Sequence, residues 1–442
     1  MKPQINNTLR VGLLGIGTVG GGTYTVLTRN AEEITRRTGF NIIVTHVADT
    51  NLERAKAITE GKATITADAF DIVNNPDVDV VVESIGGSTL SLELVLKAIA
   101  NGKHVVTANK ALIATQGNEI FAAAHVAGVM VMFEAAVAGG IPIIKALREG
   151  LGANKIEWVA GIINGTTNFI LTEMREKGLA FADVLGDAQR LGYAEADPTF
   201  DVEGIDAAHK LTIISAIAFG ISMKFEQAYT EGITKLQQTD IKYAEELGYC
   251  VKLLGITKRT DVGVELRVHP TLISEKRLIA NVNGAMNAVV VKGDAVGPTL
   301  YYGSGAGSEP TASSVVADLM DVARLQNVSF ESRVPYLAFQ PNSVVDLPIL
   351  PISEIYSAYY LRLRANDKPG VLASVAKILA DRNISIDAML QKEPEDNETE
   401  ADIVILTHVT IEKNMAAGIT EIEMLEAVTS KVVHIRMESL SA

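Results

Sequence analysis

Apolar and polar positions follow two rhythms along this 442-residue chain. In the first third, short apolar runs at residues 9–14, 41–49, 78–83, 104–107 and 129–133 read as strands, and residues 23–28 and 91–101 read as helices. Apolar strands separated by helices imply a parallel sheet covered on both faces, the mark of an α/β domain. From about residue 140 the pattern changes. A run at 158–162 leads into amphipathic helices, and runs at 262–268 and 288–291 alternate, which fits an α+β domain with an open sheet. A helix at 312–325 is expected to return to the first domain. Pro335, Pro341, Pro348 and Pro351 mark a linker. After it, strand 359–364, turn 366–370, helix 371–381, strands 384–390 and 401–409, helix 421–428 and strand 432–438 spell βαββαβ, a ferredoxin-like pattern. Residues 392–400 read as a solvated acidic hairpin tip. The expected division is 1–139, joined again by 310–330, then 140–309, a linker at 331–353, and a module at 354–442.

Chemistry enters with the glycines. The first strand runs into Gly15-Ile16-Gly17-Thr18-Val19-Gly20, and a helical pattern follows. Gly15 permits a tight turn, Gly17 lets backbone N–H groups approach a pyrophosphate, and Gly20 lets helix and strand pack closely. This is the fingerprint of a Rossmann-type dinucleotide site. The carboxyl ends of the other strands are expected to converge on the same crevice: Asp49, Ser84 within Glu83–Gly87, and Thr107-Ala108-Asn109-Lys110. Asp49 suits a ribose hydroxyl or simply ends the strand as a turn residue, and Arg54 nearby suits a 2′-phosphate, so NAD and NADP both stay open. A second glycine-rich loop, Gly303-Ser304-Gly305-Ala306-Gly307-Ser308-Glu309-Pro310, precedes the returning helix, an interdomain hinge being the alternative.

The stretch Gly192-Tyr193-Ala194-Glu195-Ala196-Asp197-Pro198, with Asp201, Asp206 and Lys210 beyond it, gathers carboxylates and one lysine. Pro198 marks the first half as loop. Asp201 is a plausible N-cap for a helix on which Asp206 and Lys210, four apart, share a face. A lysine beside carboxylates on a helix that soon turns apolar suits proton transfer. An exposed i,i+4 ion pair is the plainer alternative.

Composition narrows the partners. A net charge of −14 argues against nucleic acid. No apolar run has membrane-spanning length, and residues 1–10 lack a signal-peptide core, so a cytoplasmic location is expected. The single Cys250 excludes an internal disulfide framework, and the scattered histidines lack zinc-ligand spacing.

Together the Gly15–Gly20 turn, the Thr107–Lys110 tetrad, the segment Gly161-Ile162-Ile163-Asn164-Gly165-Thr166-Thr167-Asn168, the acidic stretch through Lys210 and the Gly305 loop resemble homoserine dehydrogenase in its longer bacterial form. The resemblance covers essentially the whole chain. It implies reduction of L-aspartate 4-semialdehyde to L-homoserine with NAD(P)H, on the path to threonine, methionine and isoleucine. It implies Lys210 as general acid, Lys110 as its partner near cofactor and substrate, and Glu195 and Asp206 as substrate-binding, with Asp197 and Asp201 as further candidates. It implies Ser84, Lys110 and Gly305 beside the cofactor. Glu134, Val137, Gly139 and Ile141 resemble the family's sodium-binding loop, a tight turn being the alternative. The C-terminal module resembles an ACT domain, with Asn366, Asp367, Gly370, Val371 and Leu372 placed to hold an amino-acid effector, expected to be threonine. A homodimer or homotetramer is expected. Two rival readings are another Rossmann amino-acid or semialdehyde dehydrogenase, for which Cys250 would be the only nucleophile, and a non-catalytic nucleotide- and amino-acid-sensing regulator.

Overall fold

The protein's structure, a computed structural model, describes residues 7–392 and 399–441. It divides into two compact units. The first comprises Met1–Val159, His209–Glu226 and Met286–Leu347; the second comprises Ala160–Ala208, Gln227–Ala285 and Pro348–Ala442.

In the first unit six parallel strands lie in the order Thr64–Thr66, Asn41–Ala48, Thr8–Leu14, Val80–Glu83, His104–Thr107 and Val131–Met132. This is the doubly wound Rossmann order. Leu9, Val11, Leu13, Val80 and Val82 are fully buried, as strands covered on both faces must be. The expected return occurs. The helix Ser308–Leu325 sets Ala312, Val315, Leu319 and Val322 into the same core as Leu9 and Val11. The helix after the glycine turn is longer than its pattern suggested, Thr18–Arg29 rather than 23–28. Gly20, Gly21 and Gly22 weaken the helical signal, yet two of them are demanded by packing. A Cβ on Gly20 would lie 2.1 Å from the Gly15 carbonyl oxygen, and one on Gly22 would lie 2.5 Å from Ser308 Oγ. The prolines after residue 330 do break regular structure, but the chain there is fastened down. Tyr336 donates its hydroxyl to the Val129 carbonyl and stacks on Phe121 at 5.2 Å, and Arg333 donates to the Gly128 carbonyl.

In the second unit the hairpin Tyr249–Arg259 and Val264–Ser274 pairs in unbroken antiparallel register. Val433–Glu438 lies parallel to Val264–Ser274, with Thr271 opposite Arg436. The sheet continues through Tyr356–Asn366, Glu400–Thr407 and Ile386–Gln391. These last four strands, with helices Val371–Asp381 and Glu412–Glu423, make the expected βαββαβ module around Tyr359, Leu361, Val375, Ile405 and Ile422. One correction concerns its second helix, Glu412–Glu423 rather than 421–428. Gly418 resembles a helix breaker in sequence. It lies on the buried face instead, where a Cβ would stand 3.5 Å from Ile384 Cδ1. The acidic tip at 392–400 falls largely outside the described residues.

One outer strand of the module, Val433–Glu438, is therefore not a free edge: it is paired within the chain. Buried ion pairs line that seam. Arg267 meets Glu265 and Glu438, and Arg436 meets Glu412 and Glu231. Tyr360 and Arg362 both bond Asp240, which is fully buried on the helix Gln238–Glu246.

Candidate active site

The glycine turn has the geometry its pattern requires. Gly15 has φ +87°, and a Cβ there would press on the Ser84 carbonyl at 3.0 Å. Beside Gly17 nothing lies within 4 Å of where a Cβ would sit, so a ligand can approach the backbone. No side chain caps the helix Thr18–Arg29, which leaves its first N–H groups, from Thr18 and Val19 onward, for an anion. Asp49 closes the second strand with its side chain only 7% exposed. It accepts the Ile16 N–H at 2.7 Å and the Asn51 N–H at 2.8 Å, and pairs with Arg54 at 3.1 Å. Burial pushes its pKa up, but these donors outweigh it and hold the carboxylate below its ordinary value.

The neighbouring strand ends are stitched together by a residue that had no assigned role. Glu83 is fully buried. It accepts from Thr107 Oγ1 at 2.6 Å, from the N–H groups of Ile85 and Gly86, and from Ser91 Oγ. Its apolar surroundings in sequence disguised it. Ser84 Oγ donates to the carbonyls of Leu14 and Gly15, so it braces the turn. Asn109 caps the helix Lys110–Ala127 through Leu112 N and donates to the Gly87 carbonyl, which places Lys110 at the first helical position. The second glycine loop sits on the first helix: Ser308 Oγ donates to the Thr18 carbonyl at 2.9 Å. A Cβ on Gly305 would lie 2.0 Å from Asn287 Nδ2, another residue the sequence did not flag.

In the loop expected to hold sodium, Ala138 and Gly139 adopt left-handed backbone, φ +54° and +46°. Glu134 turns its carboxylate toward the N–H groups of Ile144 and Lys145, at 2.9 and 2.8 Å. Burial pushes its pKa up to about 7, against those N–H groups. The Gly139 carbonyl accepts from Ser314 Oγ and the Ile141 carbonyl from Ile143 N. Each carbonyl keeps a second lone pair, so these oxygens together with those of Glu134 and Val137 are compatible with a cation. Among the described residues, no cluster of three or more His, Cys, Asp or Glu side chains is arranged for a metal.

The carboxylates of the second unit divide into two kinds. Glu195 and Asp197 are exposed. Their loop is tied by Gln189 Nε2 to the carbonyls of Glu195 and Ala196, and by Thr166 Oγ1 to the Tyr193 carbonyl. Asp197 accepts the Thr199 N–H at 3.1 Å, a capping role. Asp201 does not cap the helix of Asp206. It lies in the short helix Thr199–Val202; Gly204, at φ +81°, breaks the chain, and Ile205–Phe219 starts afresh. That break turns Asp201 and Asp206 toward one partner, the Asn164 amide, at 2.7 and 2.8 Å. Asp206 and Lys210 are 2% and 9% exposed on successive turns, so a solvated surface ion pair is excluded.

Cys250 is buried, and burial pushes its thiol pKa up, which suits a packed side chain and not a nucleophile. The five expected effector residues do converge. Asn366, Asp367, Gly370, Val371 and Leu372 line one cavity of about 390 Å³ with Lys368 and Gln391. Gly370, at φ +95°, starts the helix Val371–Asp381, and Asp367 accepts from Gln391 Nε2. A separate cavity of about 1270 Å³, walled by Phe121, Met130 and Tyr336, contains none of the expected residues. No helix among the described residues is long and apolar enough to cross a membrane.

Three family models match the chain: homoserine dehydrogenase over residues 142–320, the homoserine dehydrogenase NAD-binding domain over 15–134, and the ACT domain over 359–426. A homoserine dehydrogenase of Pseudomonas aeruginosa is 62% identical, with both chains covered completely. The crystal structure of a homoserine dehydrogenase from Thiobacillus denitrificans is 67% identical, covers 98% of this chain and 99% of its own, and superposes with a TM-score of 0.94. A hyperthermophilic archaeal homoserine dehydrogenase in complex with NADPH matches 73% of this chain and 99% of its own at 26% identity and TM-score 0.62. With identity this high over the full length, and with the Rossmann and ACT modules each matched in place, the chain belongs to the homoserine dehydrogenase family.

Proposed function

We propose that the protein catalyses the reversible NAD(P)H-dependent reduction of L-aspartate 4-semialdehyde to L-homoserine, within threonine, methionine and isoleucine biosynthesis. The observation that carries the residue roles is the burial of Lys210, 9% exposed, one turn from Asp206 on a helix that follows the acidic loop. When bound, the dihydronicotinamide supplies a hydride to the aldehyde carbon. Gly15–Gly20, Asp49, Ser84 and Gly305 hold and orient that cofactor, and the archaeal relative's NADPH supports a nicotinamide. Glu195 and Asp206 take the substrate ammonium. Lys210 donates its Nζ proton to the alkoxide oxygen as charge develops there, and Lys110 stabilises the same oxygen. In the reverse direction Lys210 accepts the hydroxyl proton.

The finer assignments follow from the same reading. The Glu134–Ile141 loop binds sodium through backbone oxygens. Threonine occupies the cavity at Asn366–Leu372 and lowers activity, its ammonium facing Asp367 and its carboxylate the helix N-terminus. The functional division is 1–139 with 310–330 for cofactor, 140–309 for substrate, 331–353 as connection and 354–442 as regulator. The enzyme works in the cytoplasm as a homodimer or homotetramer.

The test follows the near-ultraviolet absorbance of reduced nicotinamide with L-homoserine and NAD⁺ or NADP⁺, with and without threonine. Lys210→Ala should lose roughly 10²–10⁴-fold in turnover while binding NADPH normally. More than about a tenth of wild-type turnover remaining would remove Lys210 from the acid role.

A further inference from the structure

Asn164 ends the strand-to-helix connection after Ile156–Ile162 and begins the helix Gly165–Lys177. It is 4% exposed, and its whole amide is used. Oδ1 accepts from Thr167 N at 2.8 Å and Thr167 Oγ1 at 2.9 Å. Nδ2 donates one hydrogen to Asp201 Oδ1 at 2.7 Å and one to Asp206 Oδ2 at 2.8 Å. The two N–H bonds of a planar amide diverge at a fixed angle, so this one nitrogen sets how far apart the two carboxylate oxygens stand.

A helix cap needs only the acceptor oxygen. Serine, threonine or aspartate would cap Thr167 as well as asparagine does. What asparagine adds is a nitrogen with two donors, and both go to carboxylates. Those carboxylates come from separate helices, Asp201 from the short Thr199–Val202 and Asp206 from Ile205–Phe219. Gly204, at φ +81°, lets the chain fold so that they meet. A Cβ there would also press on Val268 Cγ1 at 3.1 Å. The same helix start holds the loop of Glu195, because Thr166 Oγ1 donates to the Tyr193 carbonyl. One rigid helix terminus thus organises every carboxylate that the functional reading assigns to substrate.

We propose that Asn164 is a positioning residue of the substrate site: its single amide nitrogen sets the spacing of Asp201 and Asp206, and so builds the anionic seat for the substrate's ammonium. This rests on the reading of Asp206 as a substrate-binding carboxylate. Asn164 does not touch the reacting atoms. Its effect falls on ligands that carry an α-ammonium and spares those that lack one.

Asn164→Asp is the discriminating variant. It keeps the cap oxygen and the side-chain shape, removes both donors and adds a third carboxylate. Asn164→Ser, which also keeps a cap, is the milder companion should the aspartate variant fold poorly. The measurements are kcat and KM for L-homoserine, the inhibition constant of 4-hydroxybutanoate, which is homoserine without its amino group, and NADP⁺ binding. For Asn164→Asp the KM for homoserine should rise on the order of 100-fold, since two hydrogen bonds to charged groups are lost. For Asn164→Ser the rise should be about tenfold. The 4-hydroxybutanoate constant and NADP⁺ affinity should stay within about threefold. Equal weakening of homoserine and 4-hydroxybutanoate, or no change in either, overturns the proposal and leaves Asn164 a plain cap. Failure of the wild-type enzyme to oxidise homoserine sinks the functional reading itself, which is a separate outcome.

Discussion

Replacing Asp240 by asparagine tests whether charge welds the C-terminal module to the rest of the second unit, of which it is part. Asp240 is fully buried. Its Oδ1 accepts from Arg362 Nε at 2.6 Å and Tyr360 hydroxyl at 3.0 Å, and its Oδ2 accepts from Arg362 Nη2 at 3.1 Å. Arg362 has one further partner, Gln237 Oε1 at 2.7 Å, which carries no charge. Asp240→Asn therefore leaves a guanidinium, 8% exposed, without its hydrogen-bonded counter-charge and with only the electrostatic pull of Asp402. Breaking a buried pair on one side costs about 3–5 kcal/mol. Asparagine keeps one acceptor oxygen, so the guanidinium bond lost outright is the one at Oδ2, about 1.5–3 kcal/mol, with the lost charge added to it. For a unit of this size each kcal/mol moves the melting midpoint by about 2–4 °C. Scanning calorimetry should thus show one transition lowered by roughly 6–20 °C. The triple change Asp240→Leu, Arg362→Met, Tyr360→Phe removes all three polar partners together and should recover most of that loss, because an apolar replacement of a buried pair is often neutral. A shift below about 3 °C for Asp240→Asn, or no recovery in the triple variant, refutes the reasoning.

Two further perturbations probe the first unit. Gly22→Ala should destabilise it by about 1–3 kcal/mol, although alanine is the better helix former, because the new Cβ would meet Ser308 Oγ at 2.5 Å and the Ser308 carbonyl oxygen at 2.6 Å. A raised melting temperature would show that the two helices part freely. Burial, aided by the Arg333 charge, lowers His104 to about 4, and its Nδ1 accepts the Met130 N–H. The unfolded chain, titrating near 6.5, then binds a proton that the folded state does not. Stability is full above about pH 6.5 and falls as pH drops toward 4, by about 2 kcal/mol from this residue at pH 4.5. His104→Asn keeps an acceptor without that titration, so its urea midpoint should fall less than the wild type's between pH 7 and 4.5; parallel falls would remove His104 from the account.

Much of the site could be read ahead of the structure because it depends on local chemistry. The glycine turn is a contiguous six-residue pattern, and within it Gly20 is required by the Gly15 carbonyl only five residues away. The residues expected to hold an effector, within 366–372, are contiguous in sequence and line one cavity. The carboxylate-rich stretch stood out, but not its grammar. Asp201 looked like a cap because N-capping is judged by position, whereas Gly204 moved the true helix start to Ile205. Glu83 was seen only as part of a strand end, and Asn287 not at all, because a lone polar residue at a strand's end or within an apolar run carries no periodic signal.

Periodicity and turn chemistry, which act over a handful of neighbours, settled the parallel sheet, the glycine turn and the βαββαβ order from the chain alone. Whether helix 18–29 survives three consecutive glycines, whether helix 412–423 tolerates Gly418, and where Asp201 and Asp206 point were decided by atoms distant in sequence. Ser308 lies against Gly22, Ile384 against Gly418, and Asn164 between the two carboxylates. The same holds for the pairing of Val433–Glu438 with Val264–Ser274, which joins strands some 160 residues apart. Close packing and the pairing of buried charges are properties of three-dimensional neighbours, so only the folded chain could reveal them.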